Sequence, residues 1–302
     1  MTIPPDRSHI ATEQRNPRSM ELHAASIADI VAQIQQEDHA VLAAVEAARP
    51  AIAAFIEAVE PGFTRGGRLI YLGAGTSGRL GVLDASEAPP TFQLPPDRII
   101  GLIAGGDRAL RKSSEGLEDD SEGALPELAA LELTADDAVL GIAAGGTTPW
   151  VRGGLQWCAA QVSAPVTALL SCSPIELPEG VMHGLIVETG PEVLTGSTRM
   201  KAGTATKLVL NTISTTLMIR SGRVYRGLMV DVRATNAKLR DRAARIISTL
   251  TGRDRAAAFA LLDAADGAVK TAVVMHARGV DRSAAEQLLV EANGRLDQVL
   301  DA

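Results

Sequence analysis

The sequence predicts an α/β protein. We expect a doubly wound, five-stranded parallel sheet, preceded by N-terminal helices and followed by a small C-terminal helical domain. Short runs of Ile, Leu, Val and Ala without polar alternation recur along the middle of the chain, as in strands covered on both faces. Helical patterns separate most of these runs, which is typical of parallel sheets. Both flanking regions show helical patterns alone.

The N-terminal region, residues 1–58, combines an arm with two helices. Residues 1–20 are polar and contain prolines, so we expect a loosely held arm. From about residue 26 to residue 59 apolar residues recur at helical spacing, and Pro50 is expected to separate two helices.

The central domain is predicted over residues 59–225. Its five strands are expected at 68–72, 98–106, 137–144, 164–171 and 183–189, and a long helix at 196–222. In such sheets ligands bind outside the carboxyl ends of the strands. The loops that follow the strands are therefore the place to look for a site.

The C-terminal region, residues 226–302, is predicted to be helical. From about residue 250 it consists of short Ala-rich helices that are broken by Gly267, Gly279 and Gly294. Ser283 and Glu286 predict a capping box for one of these helices.

Composition narrows the class of protein. The chain has 302 residues, of which 46% are hydrophobic, and a formal net charge of −7. The acidic balance argues against a broad nucleic-acid surface. No apolar run is long enough to predict a membrane span, and the N-terminus has no apolar signal core, so we expect a cytoplasmic protein. Cys158 and Cys172 have no metal-ligand spacing and are expected to be buried, reduced thiols.

The stretch YLGAGTSG contains a glycine motif with two interpretations. Gly73, Gly75 and Gly78 have the spacing of a dinucleotide-binding turn. Such a turn usually has an acidic residue about 20 positions further on, at the end of the second strand. Here that strand ends in glycines, and Asp107 comes roughly 30 positions on. The hydroxyls inside the motif favour a lone phosphate instead.

Three hydroxyl-rich segments follow strands and precede helices: GAGTSG, AAGGTTPW and TGSTRMKAG. In a parallel sheet they converge on one edge, where backbone N–H groups and hydroxyls bind phosphate. The alternative for each segment is ordinary turn and N-cap chemistry. The expected phosphate ligands are Gly75, Thr76, Ser77, Gly78, Gly146, Thr147, Thr148, Ser197, Thr198 and Lys201.

Four segments, at 72–92, 101–120, 190–211 and 229–239, closely resemble the N-acetylmuramic acid 6-phosphate etherases. That family belongs to the sugar isomerase (SIS) fold superfamily and is related to glucokinase regulatory protein. The resemblance implies a homodimer whose C-terminal module, at about 250–302, is similar to ubiquitin-associated domains. It implies cleavage of the lactyl ether of N-acetylmuramic acid 6-phosphate without metal or redox cofactor, giving N-acetylglucosamine 6-phosphate and D-lactate in peptidoglycan recycling.

The resemblance places the catalytic glutamates of the family on Glu87 and Glu118. The reaction requires a base that removes the hydrogen on carbon 2 and an acid that protonates the departing lactate oxygen. We assign Glu118 as the base and Glu87 as the acid. Pro89-Pro90 is expected to end the helix that contains Glu87, so the helix dipole would favour the protonated acid. Glu118 lies in an acidic run that is otherwise typical of a solvated face, and Glu115 is a possible substitute.

Two features complicate this site. Ser77 and Glu87 are roughly 15 Å apart on a straight helix, which is longer than a hexose phosphate between its phosphate and carbon 3. Either the helix is irregular near Gly81, or other loops hold the phosphate, or Glu87 serves the pocket of a neighbouring subunit. The family commonly has Ser-Gly-Arg-Thr where this chain has GGTT at 145–148. Arg199 or Lys201 would then supply positive charge, although Lys201 is also compatible with an ordinary exposed helix position.

Two other functions remain compatible with the same fold. An aldose–ketose isomerase needs one proton-moving glutamate and no acid for an ether oxygen. A phosphosugar-sensing regulator binds without turnover, as glucokinase regulatory protein does. Release of D-lactate distinguishes the etherase from both.

Overall fold

The computed structural model describes residues 6–112, 115–232 and 236–301, and these residues form two compact units. The first, here called the sheet unit, runs up to Ser86 and then from Pro96 to Ser214. The second, the C-terminal unit, takes Glu87–Pro95 and the chain from Thr215 onward. The division of the sequence into three regions, 1–58, 59–225 and 226–302, stays a prediction. Contacts within the structure group the N-terminal helices with the sheet.

The five predicted strands are confirmed and form one parallel sheet. They are β1 (Leu69–Gly73), β2 (Ile99–Ile103), β3 (Ala138–Ile142), β4 (Val166–Ser171) and β5 (His183–Ile186). Their order is β2-β1-β3-β4-β5, with every pair parallel. Strands β1 and β3 are buried along their whole length, which explains their uninterrupted apolar sequences. The strand order reverses between β1 and β3, where doubly wound sheets bind their ligands.

The helices that begin in the sheet unit are α1 (Ile27–Ala47), α2 (Arg49–Arg65), α3 (Gly75–Phe92), α4 (Leu125–Ala130), α5 (Pro149–Ala159) and α6 (Lys201–Arg220). The predicted break at Pro50 is confirmed, because α1 ends at Ala47 and α2 begins at Arg49. The long helix predicted over 196–222 is shorter at its start. By residue number, α3 and α6 end in the C-terminal unit.

The N-terminal arm is fixed in place, so the prediction of a loosely held arm is wrong for residues 10–19. Ile10, Thr12 and Asn16 are buried. The hydroxyl of Ser19 donates to the carbonyl of Val193 at 2.8 Å. These contacts join residues that lie far apart in the chain, so no local sequence pattern predicts them.

Besides the ends of α3 and α6, the described residues of the C-terminal unit form a short hairpin and five helices. The strands are β6 (Val224–Tyr225) and β7 (Leu228–Met229), and the helices are α7 (Ala237–Thr251), α8 (Arg255–Ala264), α9 (Val269–Arg278), α10 (Arg282–Glu291) and α11 (Leu296–Leu300). Apolar residues of the helices form a core around Ile247, Leu262 and Val273. The predicted capping box is wrong, because Asp281 caps α10 by accepting from the N–H of Ala284.

Over the residues that the structure describes, no single helix has the length and apolarity needed to cross a membrane. The bent pair α1 and α2 passes that test on length and composition when its helices are taken together.

Candidate active site

The GAGTSG segment joins β1 to α3 by a very close backbone approach. A Cβ atom built on Gly73 would lie 2.5 Å from the nitrogen of Gly78, and one built on Gly78 would lie 2.6 Å from the oxygen of Gly73. Gly75 has a φ of 53°, which favours glycine. The first N–H groups of α3 have no partner within the helix and open beyond the end of β1. This is a backbone arrangement that suits an anion.

The hydroxyls of the three loops do not cap their own helices. In the described parts of the chain, the side-chain hydroxyls of six loop residues form no hydrogen bond: Thr76, Ser77, Thr147, Thr148, Ser197 and Thr198. Ordinary capping does occur elsewhere, since the hydroxyl of Ser26 accepts from the N–H of Asp29 at 3.2 Å. The six side chains are half-buried. Their hydroxyls are therefore left for a ligand.

The three loops lie along one edge of the sheet. A Cβ atom built on Gly203 would be 3.5 Å from Cγ2 of Thr76. One built on Gly145 would be 3.5 Å from Oγ1 of Thr12 and 3.9 Å from Oγ1 of Thr147. The carbonyl of Thr12 also accepts from the N–H of Gly196 at 3.1 Å. Thr12, which sequence reasoning missed, thus joins two of the loops from the N-terminal arm.

Lys201 is buried, so the interpretation of an exposed helix lysine is wrong. Its Nζ lies 3.0 Å from Oε2 of Glu37. Glu37 also accepts from Asn16 at 2.8 Å and from both Nε and Nη2 of Arg18. The Arg18 hydrogen bond is the largest influence that lowers the pKa of Glu37, to about 2, and burial opposes it. In this structure the ammonium group of Lys201 is paired with Glu37. A role for Lys201 in phosphate binding therefore stays a prediction.

The amino end of α6 is occupied by a carboxylate of the chain itself. Glu192 is fully buried and accepts from the N–H of Lys201 at 3.0 Å and of Ala202 at 2.9 Å. Burial raises the pKa of this carboxyl. A carboxylate at a helix N-terminus takes the position that a phosphate would need. The amino end of α3, which follows the GAGTSG loop, is thus better placed than that of α6 to hold an anion.

Glu118 lies beside the loop that follows β3. Its carbonyl accepts from the N–H of Trp150 at 3.0 Å, in the first turn of α5. The following segment packs on the same indole, since a Cβ atom on Gly123 would lie 2.8 Å from Cδ1 of Trp150. The backbone of Glu118 therefore lies against the first turn of α5, the helix that Thr147 and Thr148 precede in the chain. The side chain of Glu115 is outside the described residues.

Glu87 is exposed and lies inside α3. The prediction that Pro89-Pro90 ends this helix is wrong, because α3 continues to Phe92. The last residue of the helix is held by Arg223, whose Nη1 donates to the carbonyl of Phe92 at 2.8 Å. The helix-end argument for a protonated Glu87 therefore fails. Since α3 is unbroken at Gly81, the proposed irregularity there is also wrong, and Ser77 and Glu87 are separated by about 15 Å of helix.

Within the residues that can be described, no group of three or more His, Cys, Asp or Glu side chains could hold a metal ion. Burial raises the pKa of both cysteine thiols, Cys158 and Cys172, to about 12.

The five-stranded parallel sheet with flanking helices matches the sugar isomerase (SIS) type of α/β domain. Consistent with this class, the family model described as "Glucokinase regulatory protein N-terminal SIS domain" matches residues 51–159. A phosphoheptose isomerase from Francisella tularensis is similar to this chain with a TM-score of 0.48 and 16% identity, covering 65% of this chain and 99% of that one.

Two relatives extend the likeness over nearly the whole chain. The N-acetylmuramic acid 6-phosphate etherase of Gloeobacter violaceus is 50% identical, covering 98% of this chain and 97% of that protein. The protein of the same name from Bacillus subtilis is 44% identical, covering 100% of this chain and 99% of its own length. The chain belongs to the N-acetylmuramic acid 6-phosphate etherase family, as the four segments predict.

Proposed function

We propose that this protein cleaves the D-lactyl ether of N-acetylmuramic acid 6-phosphate with water. The products are N-acetylglucosamine 6-phosphate and D-lactate, and the reaction serves peptidoglycan recycling. The observation that carries the proposal is identity of 50% to an etherase over 98% of the chain. The uncapped hydroxyls beside the amino end of α3 support it, because they suit the phosphate of such a substrate.

The phosphate binds at the amino end of α3 in this proposal. That helix begins with open N–H groups and two free hydroxyls, Thr76 and Ser77, whereas Glu192 occupies the amino end of α6. The other predicted ligands, Thr147, Thr148 and the 196–198 loop, lie along the same edge and surround the remainder of the sugar phosphate. Binding energy from the phosphate then positions the reacting carbons.

The chemistry is elimination followed by hydration. In the ring-opened sugar the aldehyde makes the hydrogen on carbon 2 acidic, and Glu118 removes it. Lactate leaves from carbon 3 as a proton from Glu87 reaches its ether oxygen. Water then adds across the new double bond, its hydroxyl to carbon 3 and its proton to carbon 2. One ionised and one protonated carboxyl suffice, and no metal or redox cofactor takes part.

Glu87 serves the pocket of a neighbouring subunit. A phosphate at the amino end of α3 is separated from Glu87 by about 15 Å of unbroken helix, which is more than the substrate spans from its phosphate to carbon 3. In this proposal the active protein is therefore a homodimer. We also place it in the cytoplasm, as the sequence predicts. Co-refolded Glu87→Gln and Glu118→Gln subunits should recover about a quarter of wild-type activity, because statistical mixing forms heterodimers with one intact pocket. No recovery on mixing would place both glutamates in the same subunit's pocket.

The decisive experiment is incubation with N-acetylmuramic acid 6-phosphate, with chelator present, followed by an enzymatic assay for D-lactate. Stoichiometric D-lactate is the expected result. Isomerised sugar without lactate would favour an aldose–ketose isomerase. Tight binding without turnover would favour a phosphosugar sensor. The similarity of residues 51–159 to a domain of glucokinase regulatory protein suggests that alternative.

A further inference from the structure

A chain of polar contacts inside the C-terminal unit holds the last residues of α3. Nη1 of Arg223 donates to the carbonyl oxygens of Phe92 at 2.8 Å and Gln93 at 3.3 Å. The same nitrogen lies 3.1 Å from Oδ2 of Asp231. Oδ1 of Asp231 in turn lies 2.6 Å from Nζ of Lys270, in α9. We call Arg223, Asp231 and Lys270 the α3 clamp.

The α3 clamp is partly shielded from water and carries a net positive charge. Its side chains are 20% exposed for Arg223, 23% for Asp231 and 12% for Lys270. Lys270 also donates to the carbonyl of Gly294 at 2.7 Å, which ties the clamp to the turn before α11. A helix C-terminus favours nearby positive charge. The clamp therefore stabilises the end of α3 both by hydrogen bonds and through the helix dipole.

The end of α3 needs external support. Pro89 and Pro90 lie inside the helix and lack an N–H group, so the carbonyls of Ala85 and Ser86 cannot accept the usual helical bonds. Gln93, which follows the helix, has a φ of 52°, a left-handed conformation that is unfavourable for residues other than glycine. The stretch that carries the candidate acid is thus weakly held by its own backbone.

We infer that Arg223, oriented by Asp231 and Lys270, is a positioning residue for Glu87, and that the C-terminal unit contributes to catalysis by aiming the acid. The inference rests on the proposed function. Glu87 is exposed and groups with the C-terminal unit, so neighbouring side chains do little to fix its direction and the helix end must do so. It also gives a role to the segment MVDVRATNAKL, which contains Asp231.

The test separates departure of lactate from removal of the carbon 2 hydrogen. In Arg223→Met, kcat for D-lactate release should fall at least about tenfold. KM should stay within about threefold, because the three hydroxyl-rich loops that are proposed to bind the phosphate are unchanged. Exchange of the carbon 2 hydrogen in D₂O should continue at the wild-type rate, because Glu118 is unchanged. Arg223→Lys should recover part of kcat, since an ammonium can still donate to the Phe92 carbonyl.

Arg278 offers a matched control. It lies in the same unit, and its Nε donates to the carbonyl of Val299 at 2.9 Å, away from α3. Arg278→Met should leave kcat within about twofold of wild type. Equal losses of kcat in Arg278→Met and Arg223→Met, or a parallel loss of exchange in Arg223→Met, would overturn the inference.

A second variant covers the case in which Arg223→Met does not fold. Asp231→Asn keeps the size of the side chain but loses the charge that orients Arg223, so it should also lower kcat with exchange retained. Unchanged kcat in this variant would contradict the inference. A wild-type protein that releases no D-lactate would instead contradict the proposed function.

Discussion

Each unit contains a carboxylate that lies between an arginine and a lysine. In the sheet unit Glu37 lies between Arg18 and Lys201, and its side chain is 1% exposed. In the C-terminal unit Asp231 lies between Arg223 and Lys270 and is 23% exposed. A fully buried ion pair is costly to break, whereas a partly exposed one is less so. We therefore expect the first cluster to maintain the fold and the second to orient a helix end.

The two candidate catalytic glutamates, Glu118 and Glu87, differ in exposure in the same way as these two clusters. Glu118 is half-buried, and its backbone is hydrogen-bonded to the first turn of α5. Glu87 is exposed on a helix turn interrupted by prolines. The proposed base is thus fixed by the sheet unit, and the proposed acid depends on the C-terminal unit. This division of labour can be tested one residue at a time.

The largest effects should come from the two glutamates. Glu118→Gln should lower D-lactate release by at least about 10³-fold and abolish exchange of the carbon 2 hydrogen, because the first step is blocked. Glu87→Gln should slow lactate release while exchange continues in D₂O, measured by NMR. Exchange that survives only in Glu118→Gln would reverse the two roles. Near-normal lactate release by either variant would remove that residue from the mechanism.

Glu37→Gln should lower the free energy of unfolding by about 3 kcal/mol at pH 7, because it removes the carboxylate that contacts the buried ammonium group of Lys201. The pKa of Glu37 is lowered from 4.5 to about 2 in the folded protein, chiefly by Arg18. Its stabilisation is therefore complete above pH 4.5 and is lost as the pH falls toward 2. Denaturant unfolding between pH 7 and pH 2 should show a shallower acid loss in the variant.

Glu46→Gln is the control for that measurement. Glu46 pairs with Arg49 on the surface, with its side chain 70% exposed, so the change should cost less than about 1 kcal/mol. Equal costs for Glu37→Gln and Glu46→Gln would show that the buried cluster does not maintain the fold.

Loss of the substrate phosphate should have the next largest effect. Unphosphorylated N-acetylmuramic acid should be cleaved with a kcat/KM at least about 100-fold lower, equivalent to about 2.7 kcal/mol. The reason is that the phosphate is held by the sheet unit away from the reacting carbons and positions them. A similar kcat/KM for the phosphorylated and unphosphorylated sugars would mean that the three hydroxyl-rich loops do not bind phosphate.

The smallest effects separate two serines at helix N-termini. Ser77→Ala should weaken phosphosugar binding by about 1–2 kcal/mol and leave the unfolding midpoint unchanged, because its hydroxyl forms no hydrogen bond within the described residues. Ser26→Ala should do the reverse, with a loss of about 1 kcal/mol of stability and unchanged kinetics, because Ser26 caps α1. The same outcome for both serines would contradict the distinction between capping and ligand-binding hydroxyls.

The parts of the fold that the sequence predicts are those with local signals. The five strands are continuous apolar runs because both of their faces are covered, and the loops between them follow from the parallel topology. The break near Pro50 has an equally local cause. The hydroxyl loops could be located for the same reason, since they directly follow the strands.

The parts that the sequence does not predict depend on distant contacts. The N–H of Thr12 donates to Oγ of Ser173, which is 161 residues away in the chain, so the arm carries no pattern of its own. The predicted end of α3 is wrong because the helix continues through Pro89-Pro90 to Phe92, whose carbonyl accepts from Arg223, 131 residues away in the chain. The burial of Lys201 is likewise fixed by Glu37, which belongs to another helix.

The ion pair between Glu37 and Lys201 also has a consequence for synthesis on the ribosome. The two residues are 164 positions apart. At 5–20 residues per second, Glu37 leaves the ribosome about 8–30 s before Lys201. During that interval α1 and the arm lack the ammonium group that completes their polar cluster. The contact between Glu37 and Lys201 can therefore form only after the start of α6 has emerged, so completion of this cluster is a late event in the folding of the nascent chain.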